Sequence, residues 1–152
     1  MISRTAEYAM LAMATLAEHR PEDRVSAVTL ASETGIPQNY LSTILHALGR
    51  ANLAEGVRGP GGGFRLARAA KQITAYEIVS LFDSLESQGR CLLGVRDSNP
   101  DNCCPAHQDW LKVWDRYEKF LHKTTLDRLV KRAEPKKAKK AAPKKRAHQL
   151  VK

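Results

Sequence analysis

The sequence predicts a mainly α chain carrying one small β hairpin. Three observations lead there. Apolar residues recur at helical spacing through four separate stretches of the first 130 residues. A glycine loop, Val57-Arg58-Gly59-Pro60-Gly61-Gly62-Gly63-Phe64, stands between two short apolar runs and reads as the turn of a hairpin. The remaining residues, 131–152, hold ten Lys or Arg against one Glu and no apolar pattern, so they cannot bury a core.

The elements follow in order. Ser3 can cap a first helix over 3–19, with Tyr8, Ala9, Ala12, Met13 and Leu16 as its apolar stripe. Pro21 to Arg24 is a polar connection. Ser26 can cap a second helix over 27–34 with Leu30 and Ala31 inward, and Gly35 suits the left-handed residue that ends it. Ile36 plugs the turn, and Pro37 opens a third helix where its missing N–H costs nothing. There Leu41, Ile44, Leu45 and Leu48 form one buried stripe, while Gln38, Asn39, Tyr40, Ser42, Thr43, His46 and Arg50 occupy the other face. Leu53 to Val57 and Phe64 to Leu66 are the hairpin strands. Thr74-Ala75-Tyr76-Glu77 is a capping box opening a fourth helix, with Ile78, Val79, Leu81 and Phe82 apolar. A long helix runs from about Pro105 to His122, and Thr125 to Val130 form a last short turn. Trp110, Trp114, Tyr117 and Leu121 make a stripe on the long helix that is larger than a small domain needs for its own core. It is read as a surface for dimerisation across a two-fold axis, with a helix packed only on its own subunit as the competing reading.

Two short helices joined by a tight turn, then a glycine-tipped hairpin, make the layout of a winged helix-turn-helix DNA-binding domain. The third helix divides as a recognition helix must, apolar toward the core and hydrogen-bonding toward a groove. A solvated amphipathic helix is the competing reading, and the wing decides against it. The wing's glycines allow its backbone to lie against phosphates, and Arg58 at its tip can enter a groove. The domains are therefore 1–85 for DNA binding, 86–104 as a cysteine-bearing loop, 105–130 as the dimerisation helix and 131–152 as a disordered Lys-rich tail.

Charge agrees with this division. The chain carries a formal +9, yet residues 1–130 hold fifteen groups of each sign. The excess belongs to the tail, which can attract DNA phosphates without regard to sequence. No signal-type apolar region opens the chain and no run is long enough for a membrane, so a cytoplasmic, membrane-free protein is expected. In a reducing compartment Cys91, Cys103 and Cys104, with His107 nearby, read as metal ligands or redox sensors before structural disulfides. An enzyme is not expected. No nucleophile–base pair is visible, and Gly61-Gly62-Gly63 lacks the Lys-Ser/Thr of a phosphate loop.

The Arg-Gly-Pro-Gly-Gly-Gly wing, the helix from Pro37 to Leu48 and the cysteine loop before a Trp-bearing helix together resemble the Rrf (IscR/NsrR) family of bacterial winged-helix regulators. The resemblance covers about residues 1–130. It implies a homodimer, joined through the 105–130 helix, on a pseudo-palindromic operator in double-stranded DNA. Gln38, Asn39, Tyr40, Thr43 and Arg50 would face DNA, with Arg58, Gly59 and Pro60 at the wing. It also implies an iron–sulfur cofactor, a 2Fe–2S cluster in preference to a 4Fe–4S cluster. The implied ligands are Cys91, Cys104, His107 and one of Cys103 or Glu7. Where relatives place a middle cysteine this chain has Ser98, and adjacent Cys103 and Cys104 would point apart in an extended loop. A zinc site, a metal-free thiol switch and a site without sensory role stay open beside the cluster. The function implied is a sequence-specific transcription regulator, a repressor, whose DNA affinity follows the state of the cysteine loop. The alternative is a metal-free regulator or a nucleoid-type architectural protein led by its Lys-rich tail.

Overall fold

The structure, a computed structural model, describes residues 2–85 and 104–130. The expectations for the loop 86–103, with Cys91, Ser98 and Cys103, and for the tail 131–152 lie outside the described residues.

Helix α1 (Arg4–Glu18) is capped by Ser3, whose hydroxyl accepts from the Ala6 amide at 3.2 Å. Its buried face combines three small residues, Ala6, Ala9 and Ala12, with Met13 and Leu16. That lets α2 (Ala27–Thr34), α3 (Gln38–Arg50) and α4 (Ala75–Val79) pack closely around one helix. The Ser26 hydroxyl caps α2 by accepting from the Thr29 amide, and Gly35 ends it at φ +72°. Ile36 is buried in the turn, as expected, while Pro37 occupies the cap of α3 and not its first turn. Strands β1 (Ala54–Val57) and β2 (Gly63–Leu66) pair antiparallel, with Val57 opposite Gly63.

The main core joins α1, α2, α3 and the hairpin base through Met13, Leu30, Leu41, Ile44, Leu45, Leu48 and Leu53. A second, smaller core joins Ala6 of α1, Ala75 and Val79 of α4, Leu85, and Leu121 of α5 (His107–Lys123). Trp114 and Tyr117 pack against that second core, and the Trp114 and Tyr117 rings lie 5.4 Å apart. The aromatic stripe read as a dimer surface is thus in part spent on its own subunit, against the cluster of Ala6, Ala75, Val79 and Leu85. The apolar side chains that α5 leaves exposed are Leu111, Val113 and Phe120.

One polar contact and one ring stack border the second core. The buried Asp83 carboxylate accepts from the Ser3 amide at 2.9 Å, placing negative charge at the start of α1 where the helix dipole favours it. Burial, helped by the Asp83 charge, pushes the Tyr117 phenol up, and its hydroxyl is buried without a partner among the described residues. The His122 ring stacks on Tyr76 of α4 at 3.8 Å. At the C-terminal end, Ala75 donates to the Thr124 carbonyl and Leu126 to the Ile73 carbonyl, both at 2.8 Å. These bonds tie the short helix α6 (Leu126–Leu129) to the start of α4.

The capping box at Thr74 forms in full: the Glu77 amide donates to the Thr74 hydroxyl, and the Thr74 amide donates to the Glu77 carboxylate. Burial opposes ionisation of Glu77. The Thr74 amide, Arg68 and the Thr74 hydroxyl outweigh it and hold the carboxyl below its ordinary range. Thr74→Ala is expected to lower the unfolding free energy by about 1 kcal/mol, read as a lower urea midpoint at unchanged slope. Because the folded carboxyl is the stronger acid, its contribution is present above the free glutamate value of about 4.3 and fades as pH falls below it. The stability gap between the wild type and Glu77→Gln should therefore be largest at neutral pH and close in acid. A gap independent of pH would contradict this.

Candidate nucleic-acid interface

Gly35, in the left-handed region, and the buried Ile36 turn the chain sharply between α2 and α3. With Leu41, Ile44, Leu45 and Leu48 buried, the opposite face of α3 is presented outward. Gln38, Asn39, Thr43, His46 and Arg50 are exposed there. The Ser42 hydroxyl donates to the Gln38 carbonyl at 2.9 Å and the Thr43 hydroxyl to the Asn39 carbonyl at 3.3 Å. Both oxygens keep lone pairs for outside donors, so on this face they serve as acceptors. Tyr40 differs from its neighbours. It too is exposed, but its hydroxyl is hydrogen-bonded to Thr5 and its ring meets Tyr8 edge-on at 5.7 Å, so α1 fixes how it is presented.

The wing tip is shaped by its backbone. Gly59 and Gly61 lie at φ +99° and +73°, and the Gly62 amide donates to the Gly59 carbonyl at 2.9 Å. A side chain at Gly62 would put its Cβ 2.3 Å from the Val57 carbonyl oxygen. Arg58, Gly59 and Pro60 stand exposed on the resulting turn, with the side chain of Arg58 free of any ion pair among the described residues.

The base of the wing is fixed more firmly than its tip. Val25, just before α2, exchanges both backbone hydrogen bonds with Phe64, at 2.9 and 2.8 Å. The Glu55 carboxylate receives Arg65 at 2.7 and 2.9 Å and Arg24 at 3.3 Å. The Arg65 hydrogen bonds, assisted by Arg24, hold that carboxyl below its ordinary range. One ion cluster thereby joins Arg24, in the segment leading into α2, to both strands of the wing.

Between α3 and β1 runs an open cleft of about 790 Å³. Ser42, His46 and Arg50 line it from the helix, Glu55 and Arg58 from the strand side, and Asn52 from the turn between. Sequence reasoning passed over Asn52 and Glu55. Asn52 sits at φ +56°, and its signal was an Asn directly after a helix end, where the left-handed conformation is common.

Of the sensor candidates, Cys91 and Cys103 lie outside the described residues. Cys104 is a free, half-buried thiol whose carbonyl accepts from the His107 amide at 2.9 Å, in the turn that opens α5. His107 is buried, and its Nδ1 has no hydrogen-bond partner among the described residues. A buried imidazole nitrogen left unsatisfied is costly, and imidazole and thiolate are donor types that an iron or zinc centre accepts. These two residues therefore fit the implied cofactor. Glu7 is exposed in the first turn of α1 and paired with Arg4 at 3.4 Å; a ligand role for it would be toward the cluster of a second subunit. Among the described residues no three candidate ligands gather, and no helix is long and apolar enough to cross a membrane.

Comparison with known proteins agrees with this geometry. Residues 2–132 match the family model described as Rrf2, iron-dependent transcriptional regulator. The chain is similar to the HTH-type transcriptional regulator IscR of Pectobacterium carotovorum, 32% identical over 133 residues, covering 88% of this chain and 80% of that one. Among solved structures it is similar to CymR, the global cysteine regulator of B. subtilis, with 25% identity, a TM-score of 0.72 and coverage of 86% and 95% of the two chains. T. potens IscR follows at 27% identity and a TM-score of 0.68, with 85% of each chain covered.

Gly62→Ala tests the wing. The clash is with backbone, which cannot move aside, so the tip must reshape while the cores stay intact. The expected result is a sharp loss of DNA affinity with an unchanged helical circular-dichroism signal. Retained affinity would show that the tip conformation does not matter.

Proposed function

The chain belongs to the Rrf2 family of DNA-binding transcription regulators, and from that premise we propose that it acts as a homodimeric, operator-specific repressor gated by the chemical state of its cysteine region. The observation that carries this reading is the pairing of two exposed elements on either side of one cleft. The hydrogen-bonding face of α3 suits a major groove, and the glycine-shaped tip with Arg58 suits the adjacent minor groove. A narrow minor groove concentrates negative potential, which a free guanidinium answers. Gln38, Asn39, Thr43 and Arg50 would face the DNA from α3, with Tyr40 held from behind by α1.

Dimerisation is supported by Leu111, Val113 and Phe120, apolar side chains that α5 leaves exposed after Trp114 and Tyr117 have turned inward. Cys91, Cys104 and His107 would hold the iron–sulfur cluster, with Cys103 or Glu7 completing the set; the unsatisfied His107 Nδ1 supports this choice. When bound, the cluster supplies a redox-active centre whose potential depends on its ligands. His107 and Cys104 open α5, so a change in what they hold alters how α5 begins. Helix α5 packs through Leu121 on Ala6 and Val79, and α1 packs in turn on α3. A shift at the start of α5 thereby changes the relative population of arrangements in which two recognition helices match an operator. A metal-free thiol switch is the second reading, favoured by the half-exposed free thiol of Cys104.

Two outcomes are expected. Arg58→Ala weakens operator binding at least about tenfold, roughly 1.4 kcal/mol, in a titration at fixed salt; an unchanged curve contradicts the wing assignment. Anaerobically purified protein is coloured, with iron matched by acid-labile sulfide, and His107→Ala loses both. Protein that stays colourless after reconstitution with iron and sulfide leaves the thiol reading in its place.

A further inference from the structure

With α3 in one groove and the wing tip in the next, the cleft between them would still need an occupant. In B-form DNA a major groove and the next minor groove are separated by a single sugar–phosphate strand. A protein with α3 in one and Arg58 in the other must straddle that strand, and the surface between α3 and β1 is this cleft.

Its lining suits a polyanion. Arg50 is exposed at the C-terminal end of α3, with no ion pair among the described residues. Asn52 brings a side-chain amide, exposed, on a turn held by the bond from its own amide to the Gly49 carbonyl at 3.0 Å. His46 stands above the wing base, its ring plane at 82° to Phe64 and 6.5 Å from it. The carboxylate on this wall, Glu55, would repel a phosphate, but Arg65 and Arg24 both bind it, so its charge is answered within the protein. Ser42 has already committed its hydrogen to the helix.

We propose that the cleft between α3 and β1 is the seat of the phosphodiester strand that divides the two grooves, with Arg50 as its cation and Asn52 and His46 as its hydrogen-bond donors. This rests on the operator-binding reading and gives these three residues a different role from the base-reading face. Contacts to phosphate position a protein and carry no sequence information. The three side chains therefore contribute affinity equally on any duplex, while Gln38, Asn39 and Thr43 contribute discrimination.

The probes are a duplex selected by the wild-type protein from a random-sequence library, a random-sequence duplex, and copies of the selected duplex with one phosphate at a time replaced by neutral methylphosphonate. Arg50→Gln should weaken binding to both unmodified duplexes by the same factor and reduce the salt slope by about 1. Asn52→Gly keeps the left-handed turn while removing the amide, and His46→Ala removes the ring; both should weaken binding to the two duplexes alike. At one or two linkages per half-site, neutralisation should cost the wild type affinity and leave Arg50→Gln unaffected. Variants that lose affinity only for the selected duplex would make these residues base readers and overturn the proposal. So would the absence of any linkage that separates Arg50→Gln from the wild type while preference for the selected duplex persists. A wild type without that preference would instead overturn the operator reading itself.

Discussion

The whole structure depends on how closely other elements can approach α1. Its inner face carries Ala6, Ala9 and Ala12, all without measurable exposure, flanked by Met13 and Leu16. Small side chains shorten the distance between helix axes, and helices α2, α3, α4 and α6 and strand β2 all use that access. Interiors packed this tightly do not deform gradually; they shift between discrete arrangements. The recognition helix and the second core consequently share one rigid neighbour. Ser3 and Ala6 at one end of α1 belong to the Asp83 and Leu121 side, while Thr5 and Tyr8 reach Tyr40 on α3.

Much of this was legible in the sequence because it rests on local chemistry. Ser3, Ser26 and the Thr74–Glu77 box announce helix starts through short-range hydrogen bonds, and Gly35 announces an end through its backbone freedom. The stripe in α3 needed only its spacing. What stayed hidden was set by distant partners. Periodicity marked Trp114, Tyr117 and Leu121 as one apolar face, but a pattern along one helix does not say whether its cover comes from the same chain; Ala6 and Val79 supply part of it. The polar run before α2 showed no strand pattern, since the single bridge from Val25 to Phe64 is too short to make one.

The site divides in the same way. Arg58 and the glycines of the wing were readable because the turn is local. Tyr40 was placed on the DNA face because it lies on the polar side of α3, and only the packing of α1 shows its hydroxyl engaged by Thr5. Glu55 looked like an ordinary strand residue; its two arginines come from 31 residues before it and ten after. Asn52 revealed its importance through a backbone angle that sequence can only suggest. Of the sensor residues, Cys104 and His107 lie within the described part, where the buried His107 Nδ1 lacks a partner among the described residues, while the ligand set itself depended on resemblance.

The bridge from Val25 to Phe64 and the ion cluster at Glu55 have a kinetic consequence. They fasten the wing to the residues that lead into α2, so wing and recognition helix form one preassembled jaw. Little ordering remains to be done at the moment of contact, apart from the glycine tip. Encounters with DNA are then limited by orientation and diffusion, with no slow rearrangement of the reading head. A preassembled jaw spends little of its contact energy on ordering itself, so what it gains on docking appears as affinity.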